Sequence, residues 1–239
     1  MTETLHDEGW EESPQAGPWP AFVDLFAATS LVLLVFFAVL ATRYLRLEAD
    51  DRVVRTQVDS LYSTLQGMAR DTGRFTVSRQ GLDVLIVLEE NVSFPRSHAS
   101  LSEMKEEGRN RLRTIGGLVH GPMFKDLIHE VEVIGHADST QYHARRGESP
   151  ARTNWELSSA RAAAVAQFLV DSLGFDPCQI ISSGRGEYYP RDRSTPGAAA
   201  APGEDPLAPD RRVEILLHSR IGDTSQMRPG CRARPRPAP

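Results

Sequence analysis

The sequence predicts an α/β domain, an α+β sandwich with helices packed on one sheet, preceded by a single N-terminal transmembrane helix. Two observations predict it. Residues 19 to 40, WPAFVDLFAATSLVLLVFFAVL, form an apolar run whose lone charge is Asp24, and ~20 mostly apolar residues suffice for a helix to cross a bilayer. From about residue 75, segments with strand alternation take turns with segments of helical spacing, the pattern of helices laid on a sheet.

The acidic, turn-rich residues 1–20 carry Glu3, Asp7, Glu8, Glu11 and Glu12 with Pro14, Gly17, Pro18 and Pro20, and read as a disordered arm. The span follows at 21–42. It makes a poor signal peptide, because the region before it is acidic and no small-residue cleavage site follows VLATRYLRLE. Trp19 and Tyr44 flank it, where aromatic rings favour the interface. Asp24 has two readings. An acid near a helix end can reach the headgroups at little cost, whereas one inside a span costs ~2.5–3.5 kcal/mol at the centre and marks an ion or proton path. Arg43, Arg46, Arg52 and Arg55 follow the span and no Lys or Arg precedes it, so charge alone places the C-terminal part in the cytoplasm.

Residues 43–73 carry Leu47, Val54, Val58, Leu61, Leu65 and Met68 on an alternating three–four spacing. That seam suits either a short coiled coil with a second copy or a helix packed on its own domain, with Asp71-Thr72-Gly73 closing it. The domain is expected over 74–220. LDVLIVL (82–88), EVEVIGH (130–136), QIISSG (179–184) and RRVEILLH (211–218) are strands. Residues 101–119 and 155–173 are helices, the second ended by Gly174. Residues 194–210 are a Pro/Gly/Ala-rich insertion, and 221–239 a basic, Pro-rich, disordered tail.

The bulk numbers exclude more than they assign. With 239 residues, 40% of them hydrophobic and 25% charged, one or two domains with a sizeable core are expected. A net charge of −5 gives no footprint for nucleic acid. Cys178 and Cys231 lack metal spacing and are compatible with a disulfide without indicating one. His136 and Asp138 have no third ligand at suitable spacing, and Ser158 has no matched base, so neither a metal, a cofactor nor an enzyme activity is expected.

Four motifs stand in order: VEVIGHADS, NWELSSARAAAVAQFLVDSLG, GRGEYYP and DRRVEILL. Together they resemble the OmpA-like peptidoglycan-binding domain over about residues 75–219. NVSFPRSHASLSE resembles that family's first strand-to-helix junction. NWELSSARA, with a single span bearing an aspartate, is similar to the B subunits of ion-driven motors, flagellar (MotB-like) or of the Zorya anti-phage system (ZorB-like). The acidic arm and FVDLF tilt the resemblance toward the Zorya-like type.

The resemblance implies a peptidoglycan ligand, the diaminopimelate of a stem peptide, whose ammonium and carboxylate need an acid and a fork of donors. Asp138 matches the ammonium-binding acid and Arg161 the arginine that grips the carboxylate. Asn154 reads as the N-cap that holds the intervening loop, and Arg211 and Arg212 match a final arginine pair. A structural salt bridge is the plainer reading of Asp138 and Arg161. The resemblance further implies Asp24 as ion carrier, a multi-span MotA/ZorA-like partner, a homodimer, and an inner-membrane position with the N-terminus cytoplasmic and the domain periplasmic. A passive wall tether is the alternative. Departures are GHAD for GHTD, DRRVE for NRRVE, which adds Asp210 near the site, Pro95-Arg96 after Phe94, and the insertion.

Overall fold

A computed structural model describes residues 19–72, 75–89, 94–95, 98–140, 153–192 and 205–219. The expected acidic arm, apart from its last two residues, the tail and most of the insertion lie outside them, as do Gly73 and Arg96.

Helix α1 comprises Trp19–Thr72. The chain divides into two compact units, 1–49 and 50–239. In the first, α1 is long and apolar enough to cross a membrane, with an 18-residue stretch of mean hydropathy 2.5, none of it buried. The Thr29 hydroxyl donates to its own helix, 2.9 Å from the Leu25 carbonyl oxygen and 3.0 Å from that of Phe26.

In the second unit five strands form one sheet: β1 (Phe75–Gln80), β2 (Asp83–Glu89), β3 (Ile128–Gly135), β4 (Ile180–Gly184) and β5 (Arg212–Ser219). The order is β1-β2-β5-β3-β4, antiparallel throughout except for the parallel pair β3–β4. Parallel strands need a crossover, supplied here by the long helix α3, Asn154–Leu173. Gly81, with φ +67°, makes the turn between β1 and β2. Helix α2, Glu106–Val119, follows a 3₁₀ turn at Leu101–Glu103, so the helix expected over 101–119 is broken near Met104.

Alternation decides which face is dry. Val84, Ile86 and Leu88 of β2, Val131 and Val133 of β3 and Val213, Ile215 and Leu217 of β5 all lie in the core. They meet Leu112 and Ile115 of α2 and Val165, Phe168 and Leu169 of α3 in the same cluster. Val58, Leu61 and Leu65 of α1 join it with no exposed surface, and Val54 and Met68 pack against it. From Val54 to Met68 the apolar seam thus packs on this chain's own domain, as the packed-helix reading of these positions expects. Gly174 takes φ +78° at the end of α3, the left-handed cap its position demanded. Cys178 is disulfide-bonded, more than its spacing indicated. The chain's one other cysteine, Cys231, lies outside the described residues.

Two glycines set how closely α3 lies on the sheet. Gly135 and Gly184 pair in register across β3 and β4. A Cβ on Gly135 would stand 2.0 Å from the Ser158 carbonyl oxygen, and one on Gly184 would stand 2.2 Å from the Ser159 hydroxyl. Only hydrogen fits at both, so the first turns of α3 sit against the strand ends.

Candidate functional site

The strand ends and the start of α3 converge on Asp138. Beyond β3 the chain stays extended: the His136 N–H donates to the Arg212 carbonyl at 2.9 Å, and the Ala137 N–H to the Gly186 carbonyl at 2.9 Å. Asp138 follows, 7% exposed. One of its oxygens accepts the Thr140 N–H at 3.0 Å, a local turn that fixes the carboxylate, and the other accepts Arg211 Nη1 at 2.5 Å. Arg211 Nη1 also reaches Asp205, 2.9 Å away. A carboxylate accepts at about four lone-pair sites, and the described residues supply Asp138 with these two side-chain bonds.

Asn154 is the first residue of α3 rather than its cap. Thr153 is the cap, its hydroxyl accepting the Glu156 N–H at 3.2 Å. That frees the Asn154 amide, which donates to the Asp138 carbonyl and the Thr140 carbonyl, both at 3.1 Å, and to Glu187. The expected holding role is therefore performed by the side chain across the loop, not by a cap.

Arg161, one helical stretch further, is 2% exposed. Its Nε donates to the His98 carbonyl at 3.0 Å, and its guanidinium lies 6.0 Å from the Phe94 ring centroid. It ties α3 to the 94–98 segment. Arg212 turns away from its neighbour Arg211, as consecutive extended residues do. Its Nε meets Glu214 at 2.6 Å and its Nη1 the carbonyls of Tyr189 and Asp210, both at 3.3 Å. Direct hydrogen bonds therefore join Asp138, Asn154 and Arg211, while Arg161 bonds the His98 carbonyl from the neighbouring turns of α3 and Arg212 braces the start of β5. Asp210, expected to add a charge near the site, accepts the Arg191 N–H at 2.8 Å.

Beneath this layer lies a buried ion group. Glu214 receives Arg212 on one oxygen and has His136 Nε2 3.2 Å from the other. Burial resists its ionisation, yet the His136 imidazole and the Arg212 guanidinium outweigh that and hold the carboxyl at about 2. Among the described residues no cluster of three His, Cys, Asp or Glu side chains could hold a metal ion.

Sequence reasoning missed Asp205, Thr140 and Glu187 as partners of the site. It considered Ser158 only as a nucleophile, whereas its buried hydroxyl accepts the Gly186 N–H at 3.0 Å and donates to the Trp155 carbonyl at 3.0 Å. A Ser directly facing the glycine pair was the available signal.

Residues 94–202 match the model of the OmpA family. The chain is 24% identical over 173 residues to the Bacillus subtilis (strain 168) protein YtxE, covering 71% of this chain and 63% of that relative's length. A MotB-like protein from Desulfovibrio vulgaris superposes with a TM-score of 0.55 at 17% identity, over 74% of this chain and 99% of that one. The cell wall anchor of the T6SS from Pseudomonas aeruginosa superposes with a TM-score of 0.52 at 22% identity, over 66% and 97%.

Proposed function

Because this chain carries an OmpA-like domain behind a helix able to cross a membrane, we propose that it is a peptidoglycan-anchored, stator-type subunit of an ion-driven inner-membrane motor. The observation that carries the reading is the union in one chain of Asp24, an acid within the apolar stretch, and a domain whose fold is shared with a cell wall anchor and a MotB-like protein. Asp138 takes the ammonium of a stem-peptide diamino acid, Arg211 and Arg161 draw its carboxylate, and Asn154 and Arg212 hold the loops. Asp24 binds and releases H⁺ or Na⁺ against a multi-span partner of the MotA/ZorA kind, in a bundle that includes a second copy of this chain. One elementary charge crossing 100 mV makes available ~2.3 kcal/mol, which turns a partner only if this subunit is held by the wall.

The domain then faces the periplasm, against the charge bias of the flanks. The disulfide at Cys178 favours that side, since such bonds persist in oxidising compartments. Of the two motor types, the acidic arm and FVDLF favour the Zorya-like one. Asp24→Asn tests the motor: the phenotype is lost while sedimentation with peptidoglycan persists. A passive tether would keep both. A topology reporter fused after Leu217 that is active only in the cytoplasm removes the wall as ligand and refutes the reading.

A further inference from the structure

Among the described residues of the second unit, the large apolar side chains left exposed are Val53, Met123, Trp155, Tyr188 and Tyr189. Three of the five are aromatic, and two of them, Trp155 and Tyr188, stand next in sequence to Asn154 and Glu187, which are bonded to each other at the edge of the Asp138 site. The Trp155 and Tyr188 rings lie 5.6 Å apart, tilted by 32°. Tyr189 lies beneath the Arg185 guanidinium at 5.1 Å. Exposed at 48%, 64% and 51%, they do not serve the core.

The arrangement is nonetheless fixed. The Ser158 hydroxyl bridges Gly186 to the Trp155 backbone, Glu187 is bonded to Asn154, and Arg212 holds the Tyr189 carbonyl. Gly186 has φ +58°, and a Cβ there would stand 3.3 Å from the Trp155 indole. Aromatic area is thus held open in one geometry, and no other described residue buries it. Such patches mark interaction sites.

A partner for it needs a flat face of C–H groups, which the negative face of an aromatic ring attracts, and a polar edge for Glu187 and Arg185. A pyranose ring has both. Position narrows the choice further. Trp155 follows Asn154, whose amide bonds the Asp138 carbonyl, and consecutive Cα atoms are only ~3.8 Å apart. A stem peptide is covalently joined to a sugar, a few residues at ~3.5 Å each from its diamino acid. A peptide seated on Asp138 therefore carries its sugar within reach of this rim.

We propose that Trp155 and Tyr188 form a stacking shelf for a hexosamine ring of the glycan strand. The site then recognises sugar and peptide as one unit, which rests on the wall-binding reading above. The full chain in detergent, titrated calorimetrically with a free stem tripeptide and with the same tripeptide on its disaccharide, tests the shelf. The sugar-bearing probe binds about five- to tenfold tighter. Trp155→Ala abolishes that difference and leaves the free-tripeptide affinity unchanged, while Trp155→Phe restores part of it. Equal affinity of the two probes for the native chain overturns the shelf but leaves wall binding intact. A parallel loss for both probes in Trp155→Ala also overturns it, by showing a structural role. Failure of both probes to bind the native chain overturns wall binding and the shelf together.

Discussion

Glu214→Gln isolates the ion group beneath the site. The carboxyl stands at about 2 against an ordinary 4.5. At about 1.4 kcal/mol per pH unit, that difference is worth ~3 kcal/mol. The side chain is only 16% exposed, so solvent screens little of it. The folded-state value lies below the unfolded one, so the contribution is fully present above pH 4.5 and is lost as pH falls toward 2. At neutral pH the variant loses about 2–3 kcal/mol, because the buried Arg212 guanidinium is left without its carboxylate. Urea unfolding of the native chain and of the variant, followed by near-ultraviolet circular dichroism between pH 2 and 7, reads this directly. The native chain weakens below pH 4.5 more steeply than the variant, by up to about 1.4 kcal/mol per pH unit. Parallel pH profiles would refute the reasoning, since Glu214 would then not be the group that titrates.

Gly135→Ala forces a methyl to within 2.0 Å of the Ser158 carbonyl oxygen; it costs about 1–3 kcal/mol or more in urea unfolding and weakens stem-peptide binding by displacing the start of α3. Asn154→Ala removes the amide that spans Asp138, Thr140 and Glu187, and lowers stem-peptide affinity roughly tenfold, the equivalent of about one good hydrogen bond, measured by calorimetry. Leu61→Ala opens a cavity where α1 enters the core and destabilises by about 2–5 kcal/mol, measured by thermal unfolding. Arg211→Ala leaves Asp138 and Asp205 facing each other without their shared cation, and lowers stem-peptide affinity more than Arg212→Lys does.

Periodicity made the domain legible. Val84, Ile86 and Leu88 alternate, and α3 runs from a polar start to Gly174, so both elements lie within a residue or two of expectation. Strand β1 was not named, because FTVSRQ has one buried residue and three exposed ones and gains its place only by pairing with β2. The seam of α1 fitted two partners equally well, since spacing states that a face is apolar without stating what covers it. Motif order brought out Asp138, Asn154 and Arg211, which the fold joins by direct hydrogen bonds. It could not separate Arg211 from Arg212, because opposite orientation follows from strand geometry rather than residue type. Asp205 was out of reach, lying at the end of an insertion whose composition signals only turns.

Asp205 bears on what happens when a ligand arrives. Arg211 Nη1 stands between two carboxylates, Asp138 at 2.5 Å and Asp205 at 2.9 Å. If an incoming ammonium draws Asp138 toward itself, Arg211 keeps Asp205 as a counter-ion and its donors turn toward the ligand's carboxylate. A buried guanidinium is never stranded during the exchange, so the desolvation barrier of swapping partners falls. In the wall-binding site proposed above, Asp205 thus serves as a standby counter-ion that keeps Arg211 paired while one ligand is exchanged for another.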